Sequence, residues 1–419
     1  MTVGIRYWPA VVVYAASYGL IVYTHPSNSV WAGVYTILVG WGVWLLYCAV
    51  YTRPVLRQLL AYGVFFLTPI LTFTGYIGVL TGFAAGHSSG AGGKASLPWI
   101  GVSFVMAALA LHVFTRTLTA AHLGFRILHP LRWNSGPCAI PVTLPNPRRL
   151  SLRRIKFYGA WVVLGAFFYS VIATGLAPLL VLKESPHALD IVAFAVIFEA
   201  YVYFNFSGIS FMVFGVLNLV GVKTDVNFKS PFSARDVIGY WQRWHTSLGA
   251  VFKPLFFNPI KARLGLSAAV LGVFVCSALW HGVSLNFMLW GVFHATGWLL
   301  TYRFARLRYG RWINLLLFPF IVIVGRLIFS ELDMRALLFK FNQVLHFEGV
   351  HEVWLLHLKI DARTTAIALA TVLAIGAEVL LPQSCGGYKF WRKRWVTLLL
   401  LGAVFALGST GLGGVYGMR

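Results

Sequence analysis

Residues 264–303 read LGLSAAVLGVFVCSALWHGVSLNFMLWGVFHATGWLLTYR, and no Asp, Glu, Lys or Arg occurs before Arg303. A helix needs roughly 20 apolar residues to cross a bilayer core. The run therefore divides into two successive spans, at 264–284 and 285–303, with His281 near the junction. Working outward, apolar runs of similar length lie at 7–24, 29–51, 55–84, 98–115, 157–183, 189–221, 312–330, 362–381 and 395–415. The reading is an all-α, polytopic membrane protein of about 11 spans. The 55–84 and 189–221 runs are long enough to tilt, break or re-enter.

The composition of the 419-residue chain agrees. Its residues are 59% hydrophobic and only 11% charged, with a mean hydropathy of +0.77. Soluble domains carry about 25% charged residues, so a soluble globular fold is excluded. Four separated cysteines with no C-x-x-C imply neither a disulfide framework nor a zinc knuckle.

There are 34 Lys and Arg against 11 Asp and Glu. Of the 34 basic residues, 26 fall at Arg6, Arg53, Arg57, 116–156, 223–263, 303–311 and 389–394. An even number of expected spans separates each group from the next, so all share one side, cytoplasmic by the positive-inside rule. Glu184, Asp190, Glu331, Asp333, Glu348, Glu352 and Asp361 fall on the other. The N-terminus is then cytoplasmic. The positive excess reports orientation and calls for no nucleic-acid partner. The basic, Pro-rich 116–156 stretch reads as a cytoplasmic loop against anionic lipid headgroups.

No phosphate loop, dinucleotide fingerprint or G-x-S-x-G elbow occurs. His351-Glu352 begins like a zinc-protease helix, but Leu355 stands where the second histidine is needed. With His346, Glu348 and His357 this segment reads as amphipathic and lying on the outer face, and no metal site is expected.

Two segments carry candidate chemistry. In 230–249, Ser233 and Asp236 resemble a capping box, and a helix beginning there places Trp241, Trp244, His245 and Leu248 on one face. Arg243 points elsewhere. The same pattern suits an aromatic belt helix with an incidental histidine. In Cys276-Ser277-Ala278-Leu279-Trp280-His281-Gly282, an ionisable ring inside a span suggests a polar cavity. His281 suits a general base for an alcohol, with Ser277 one turn earlier on its face. A core histidine bonded to a neighbouring carbonyl fits equally well. Cys276 lies about 140° from His281 around a helix, a poor arrangement for a nucleophilic pair.

Taken together, Tyr203-Phe204-Asn205-Phe206-Ser207-Gly208, Asn227-Phe228, Pro231-Phe232, Arg235-Asp236 and Trp241-Gln242-Arg243-Trp244-His245-Thr246-Ser247-Leu248 resemble the signature of the membrane-bound O-acyltransferases. Leu279-Trp280-His281-Gly282 and Leu289-Trp290-Gly291-Val292-Phe293-His294 extend the likeness. It is similar to the bacterial branch with the alginate O-acetylase and the teichoic-acid D-alanyl transferase. The resemblance is strong over 200–297, taken as the catalytic core segment of a single membrane domain, 1–419. Elsewhere only Ser135-Gly136-Pro137 matches.

The resemblance implies a helical ring with cytoplasmic and outer funnels, a catalytic His281, and His245 as the second active-site histidine. Trp241, Arg243, Trp244, Asn205, Ser277 and Trp280 are the candidate donor- and substrate-binding residues. It implies no bound cofactor, with acetyl-coenzyme A or an acylated carrier protein as donor from the cytoplasm. The expected acceptor is a glycan or cell-wall polymer hydroxyl at a bacterial cytoplasmic membrane, with an accessory acyltransferase- or esterase-like partner outside. D-alanyl or lipid acyl transfer, or a proton-coupled transporter or flippase, are the alternatives. Asn205 stands where the branch usually has Asp. The stretch after His245 lacks the family's Arg-Asp and Pro-Leu-Gly-Gly turn, which leaves donor identity least transferable.

Overall fold

The computed structural model describes residues 29–73, 100–119, 123, 151–221, 223–349, 361–381 and 388–408. Side chains in the first two segments are described from 38 to 66 and from 105 onward. The first expected span, the Ser135-Gly136-Pro137 motif, most of the basic 116–156 loop and the His351–His357 segment lie outside these residues.

The described elements are helical. Apolar runs of 29–51, 189–221, 312–330 and 362–381 appear as helices Ser29–Val50, Ala188–Leu219, Gly310–Ser330 and Ala362–Leu380. Among the described residues, five helical stretches are long and apolar enough to cross a membrane: Leu152–Glu184, Ala188–Leu219, Thr246–His281, Gly310–Ser330 and Ala362–Leu380. Large apolar side chains such as Leu264, Leu316 and Phe405 are exposed, as lipid contact requires. The chain is a multi-pass, all-helical membrane protein. The expected count of eleven spans is not established, since several apolar helices are shorter than a full crossing.

Local chemistry sets the helix ends. Ser151, Asp236, Ser284 and Asp361 cap helices by accepting from backbone N–H groups, which satisfies donors that a first turn leaves open. The 152–184 stretch is not one regular helix. Leu152–Ala166 passes through a π-helical segment, Phe167–Ala173, and ends in a 3₁₀ segment, Ala177–Glu184, with Pro178 near its start. Helices Leu152–Ala166 and Ala188–Leu219 approach closely at Gly165 and Gly208. A Cβ at Gly165 would lie 2.5 Å from the Gly208 carbonyl oxygen, the small-residue contact that membrane helices use to pack.

Helix direction alternates, so the molecule has two ends. At one, Asn286 Nδ2 donates to the Glu331 carbonyl, and buried Lys340 bonds the Glu331 carboxylate and the Lys183 carbonyl. At the other, Arg154 donates to the Asn218 carbonyl and Asn314 to that of Thr301. Arg154, Lys223, Arg303 and Arg311 belong to this second end.

Two large hydrophobic clusters build most of the described interior. The larger contains Phe168, Phe204, Phe228, Tyr240, Trp244, Phe287 and Trp290. The smaller joins Val43, Phe65 and Met106 to Leu248, Phe252, Phe256 and Trp280. Trp244 and Leu248 fall in different clusters, as do Ala278 and Trp280. Both histidine segments thus lie along the seam.

Candidate active site

The segment around His245 is not the single helix expected from its spacing. Asp236 Oδ1 accepts from the Gly239 N–H at 2.6 Å and starts helix Val237–Arg243; Ser233 instead sits in a 3₁₀ turn and donates to the Ser230 carbonyl. The helix stops at Trp244. His245 then takes a left-handed conformation, φ 48° and ψ 53°, and becomes the N-cap of helix Thr246–Phe252. A non-glycine residue there costs about 1–2 kcal/mol, and such strain concentrates at functional positions. The physical reason for the break is competition: the imidazole bonds the backbone that a continuous helix would have used. The Leu248 N–H donates to His245 Nδ1 at 3.3 Å.

That bond sets the tautomer. Since Nδ1 accepts, the neutral ring carries its proton on Nε2. Burial pushes the His245 ring down to about 3, so it is neutral near pH 7. His245 is therefore an N–H donor at Nε2. Asn227 braces the turn, its Oδ1 accepting from both the Ser247 N–H at 3.0 Å and the Ser247 hydroxyl at 2.8 Å.

His281 ends the helical stretch Asn258–His281, which is broken by a kink at Gly265 (φ 82°, ψ −178°), and the Gly282 N–H returns to the Ala278 carbonyl. Its ring is boxed by aromatics. Phe329 lies 4.9 Å away between centroids, Trp280 5.0 Å and Trp290 5.5 Å. The Trp290 and Phe329 planes stand nearly perpendicular to the imidazole, which fixes the ring between π-faces.

Both histidines line one cavity of about 980 Å³. Its wall reaches Lys183, Glu184, Glu331 and Asp333 at one end of the bundle and Phe257, Val270 and Trp298 toward the other. Trp241, Trp244, Ser277 and Trp280 also line it. Two expected site residues do not. Arg243 turns back along its own helix to donate to the Gly239 carbonyl at 2.8 Å. Asn205 is buried in helix Ala188–Leu219 beside Tyr201, one turn earlier. Cys276 packs with the smaller cluster.

Four cavity residues went unnoticed in the sequence reading: Glu199, Tyr240, Arg326 and Phe329, while His294 was noted only as a motif residue. Arg326 Nε donates to Glu199 Oε2 at 2.6 Å, and the Tyr240 hydroxyl donates to Glu199 Oε1 at 2.7 Å. The signal was present: Glu199 is the sole acid in 191–221 and Arg326 the sole charge in 312–330, and such residues mark function by default. His294 packs edge-on against Trp241 and Trp290, each 5.0 Å away. Gly325 makes room for it, since a Cβ there would lie 2.2 Å from His294 Nε2. Among the described residues no group of three His, Cys, Asp or Glu gathers as a metal site.

Residues 181–323 match the family model described as MBOAT, membrane-bound O-acyltransferase family. The chain is 29% identical over 196 residues to a probable alginate O-acetylase of Azotobacter vinelandii, covering 43% of this chain and 36% of that one. It is 34% identical over 97 residues to a peptidoglycan O-acetyltransferase of Helicobacter pylori, covering 22% and 18%. A teichoic acid D-alanyltransferase of Streptococcus thermophilus is 30% identical over 106 residues, covering 23% and 26%. The chain thus spans about a third or less of the length of these curated relatives. The matched segment contains His245, His281, His294 and Glu199. Residues 181–323 thus resemble a membrane-bound O-acyltransferase domain.

Proposed function

We propose that the protein is an O-acyltransferase that moves an acetyl group from a thioester on the cytoplasmic side to a hydroxyl of an exported or cell-surface glycan. The observation that carries this reading is the single cavity, which holds an imidazole donor and an aromatic-boxed histidine and reaches toward both ends of the bundle.

The donor, acetyl-coenzyme A or an acylated carrier protein, enters at the basic end past Trp298, taken as cytoplasmic. The acceptor enters at the Lys183–Glu331 end, near which His281 ends its helix. His281 takes the proton of the acceptor hydroxyl as that oxygen attacks the thioester carbonyl. The Nε2–H of His245 donates to the oxyanion that develops there, a contribution of about 3 kcal/mol in a dry site. As the tetrahedral intermediate collapses, the C–S bond breaks and the thiolate takes the proton from His281. One ester and one thiol result. Trp241, Trp244, Trp280 and Ser277 shape the passage. Arg243 and Asn205 support their own helices and do not touch substrate. The protein works in a bacterial cytoplasmic membrane with its N-terminus inside, alongside an accessory acyltransferase- or esterase-like protein outside.

The test is transfer by purified protein in proteoliposomes, with labelled acetyl-coenzyme A outside or inside and polysaccharide on the opposite face. Label appearing in ester linkage on the polysaccharide supports the reading. Movement of either compound without ester formation would make the protein a transporter instead.

A further inference from the structure

The break at Trp244–His245 leaves backbone groups that no helix satisfies, and residues 226–230 take them up. The Thr246 N–H donates to the Asn227 carbonyl at 2.8 Å, and the Lys229 N–H to the Arg243 carbonyl at 3.0 Å. The Thr246 hydroxyl donates to the Val226 carbonyl at 2.9 Å. Between centroids, the Phe228 ring lies 5.1 Å from Trp244 and 6.1 Å from His245. With the two Asn227–Ser247 bonds, the segment is a splint along the turn that presents His245. The splint itself is neither helix nor strand, so its own backbone needs a holder.

Tyr388 supplies it. Its hydroxyl donates to the Phe228 carbonyl at 2.9 Å and accepts from the Ser230 N–H at 2.8 Å. Ser230 is left-handed, at φ 51° and ψ 65°, a conformation that a non-glycine residue keeps only under support from its surroundings. The Tyr388 ring is buried between Trp161, 5.0 Å away, and Phe211, 4.9 Å away, which fixes where the hydroxyl stands. These bonds reach across 160 and 158 positions of sequence, from beyond the family-matched residues 181–323. We propose that Tyr388 is a positioning residue, which holds His245 in its donor-presenting turn through residues 226–230. The inference rests on the acyl-transfer reading and extends the active site to a residue that does not line the cavity. A small displacement of His245 weakens a hydrogen bond that forms only as the oxyanion develops. Loss of the Tyr388 hydroxyl therefore shows in the rate of transfer and not in binding of the donor.

The experiment is a double-mutant cycle between Tyr388 and His245 on the full chain in nanodiscs, with labelled acetyl-coenzyme A and polysaccharide. Tyr388→Phe keeps the ring and removes only the hydroxyl. In the wild-type background it is expected to slow single-turnover transfer about tenfold, while acetyl-coenzyme A binding, read by calorimetry, changes less than about twofold. In His245→Ala no imidazole is left to position, and the same substitution is expected to change the rate by less than about twofold. A hydroxyl that only stabilised the fold would slow both backgrounds alike. Equal slowing overturns the proposal, as does an unchanged rate in Tyr388→Phe. para-Aminophenylalanine at position 388 keeps a donor for the Phe228 carbonyl and is expected to bring transfer back to within about threefold of wild type. That variant carries the same cycle if Tyr388→Phe fails to fold, and a loss equal in both backgrounds again overturns the proposal. A second readout needs no turnover. The imidazole nitrogen resonances of His245, assigned by their absence from His245→Asn, are expected to move in the position-388 variant, and unmoved resonances overturn the proposal. Moved resonances in a protein whose wild type transfers no label to a hydroxyl would sink the transfer reading and leave the positioning of His245 standing.

Discussion

Replacing His245 by glycine and by alanine separates its backbone role from its chemical one. The residue sits at φ 48°, ψ 53° and caps helix Thr246–Phe252 through Nδ1. Alanine removes the cap, worth about 1 kcal/mol, and keeps a β-carbon in the left-handed region. Glycine loses the same ring but relieves the left-handed penalty of about 1–2 kcal/mol, and glycine as N-cap costs only a few tenths relative to a good cap. Loss of the imidazole's packing is common to both variants and cancels in the comparison. His245→Gly should therefore be more stable than His245→Ala by about 1–2 kcal/mol, despite its more flexible unfolded chain. Transfer should fall alike in both, by about 10²–10³-fold, because each removes the Nε2–H donor. Thermal unfolding in one detergent reads the first quantity, and single-turnover label transfer reads the second. Equal stability of the two variants would refute the strain argument. Transfer within about threefold of wild type in His245→Gly would refute the oxyanion role.

Glu199→Gln alone leaves the Arg326 guanidinium buried without its counter-charge and should lower stability by about 3–5 kcal/mol in unfolding measurements. Gly165→Ala places a Cβ 2.5 Å from the Gly208 carbonyl oxygen, so the Leu152–Ala166 and Ala188–Leu219 helices must separate, at a cost of about 1–3 kcal/mol read in the same assay. His245 gives a pH dependence of known sign. Burial holds its folded-state ring at about 3, against roughly 6.5 when unfolded. Its neutral form therefore contributes stability above pH 6.5 that drains away as the pH falls toward 3. Between pH 7 and 5 the wild type should lose about 2 kcal/mol more than His245→Asn, which fits the same backbone but does not titrate. Parallel melting curves of the two proteins would contradict the burial of this ring.

The membrane fold was legible because length and hydropathy are bulk properties that a bilayer reads directly. The charge-free 264–302 run shows this: it became the helix that follows the kink at Gly265 and most of the next, apart from the turn between them. His281 and Ser277 were picked out by one ionisable ring inside such a run and Trp280 by the family resemblance, and all three line the cavity. The break at Trp244–His245 was not legible, because helical spacing assigns faces and says nothing of an imidazole that captures a backbone N–H. For the same reason the expected face with Trp241, Trp244, His245 and Leu248 is split between two helices, although all four side chains still line the cavity. Arg243 was expected among the donor- and substrate-binding residues, and a local carbonyl 2.8 Å away holds it. Glu199 and Arg326 were visible one by one as lone charges in apolar runs. Their pairing spans 127 positions of sequence, and only the packing of two helices brings them together.

The central claim is that His281 is the base of an acyl transfer, and replacing that one ring tests it most directly. With labelled acetyl-coenzyme A and a polysaccharide acceptor, His281→Ala should transfer label about 10²–10⁴-fold more slowly than wild type. Its binding of the acetyl thioester should change by only a fewfold, since the donor enters from the other end of the cavity. Transfer by His281→Ala at the wild-type rate would contradict the account.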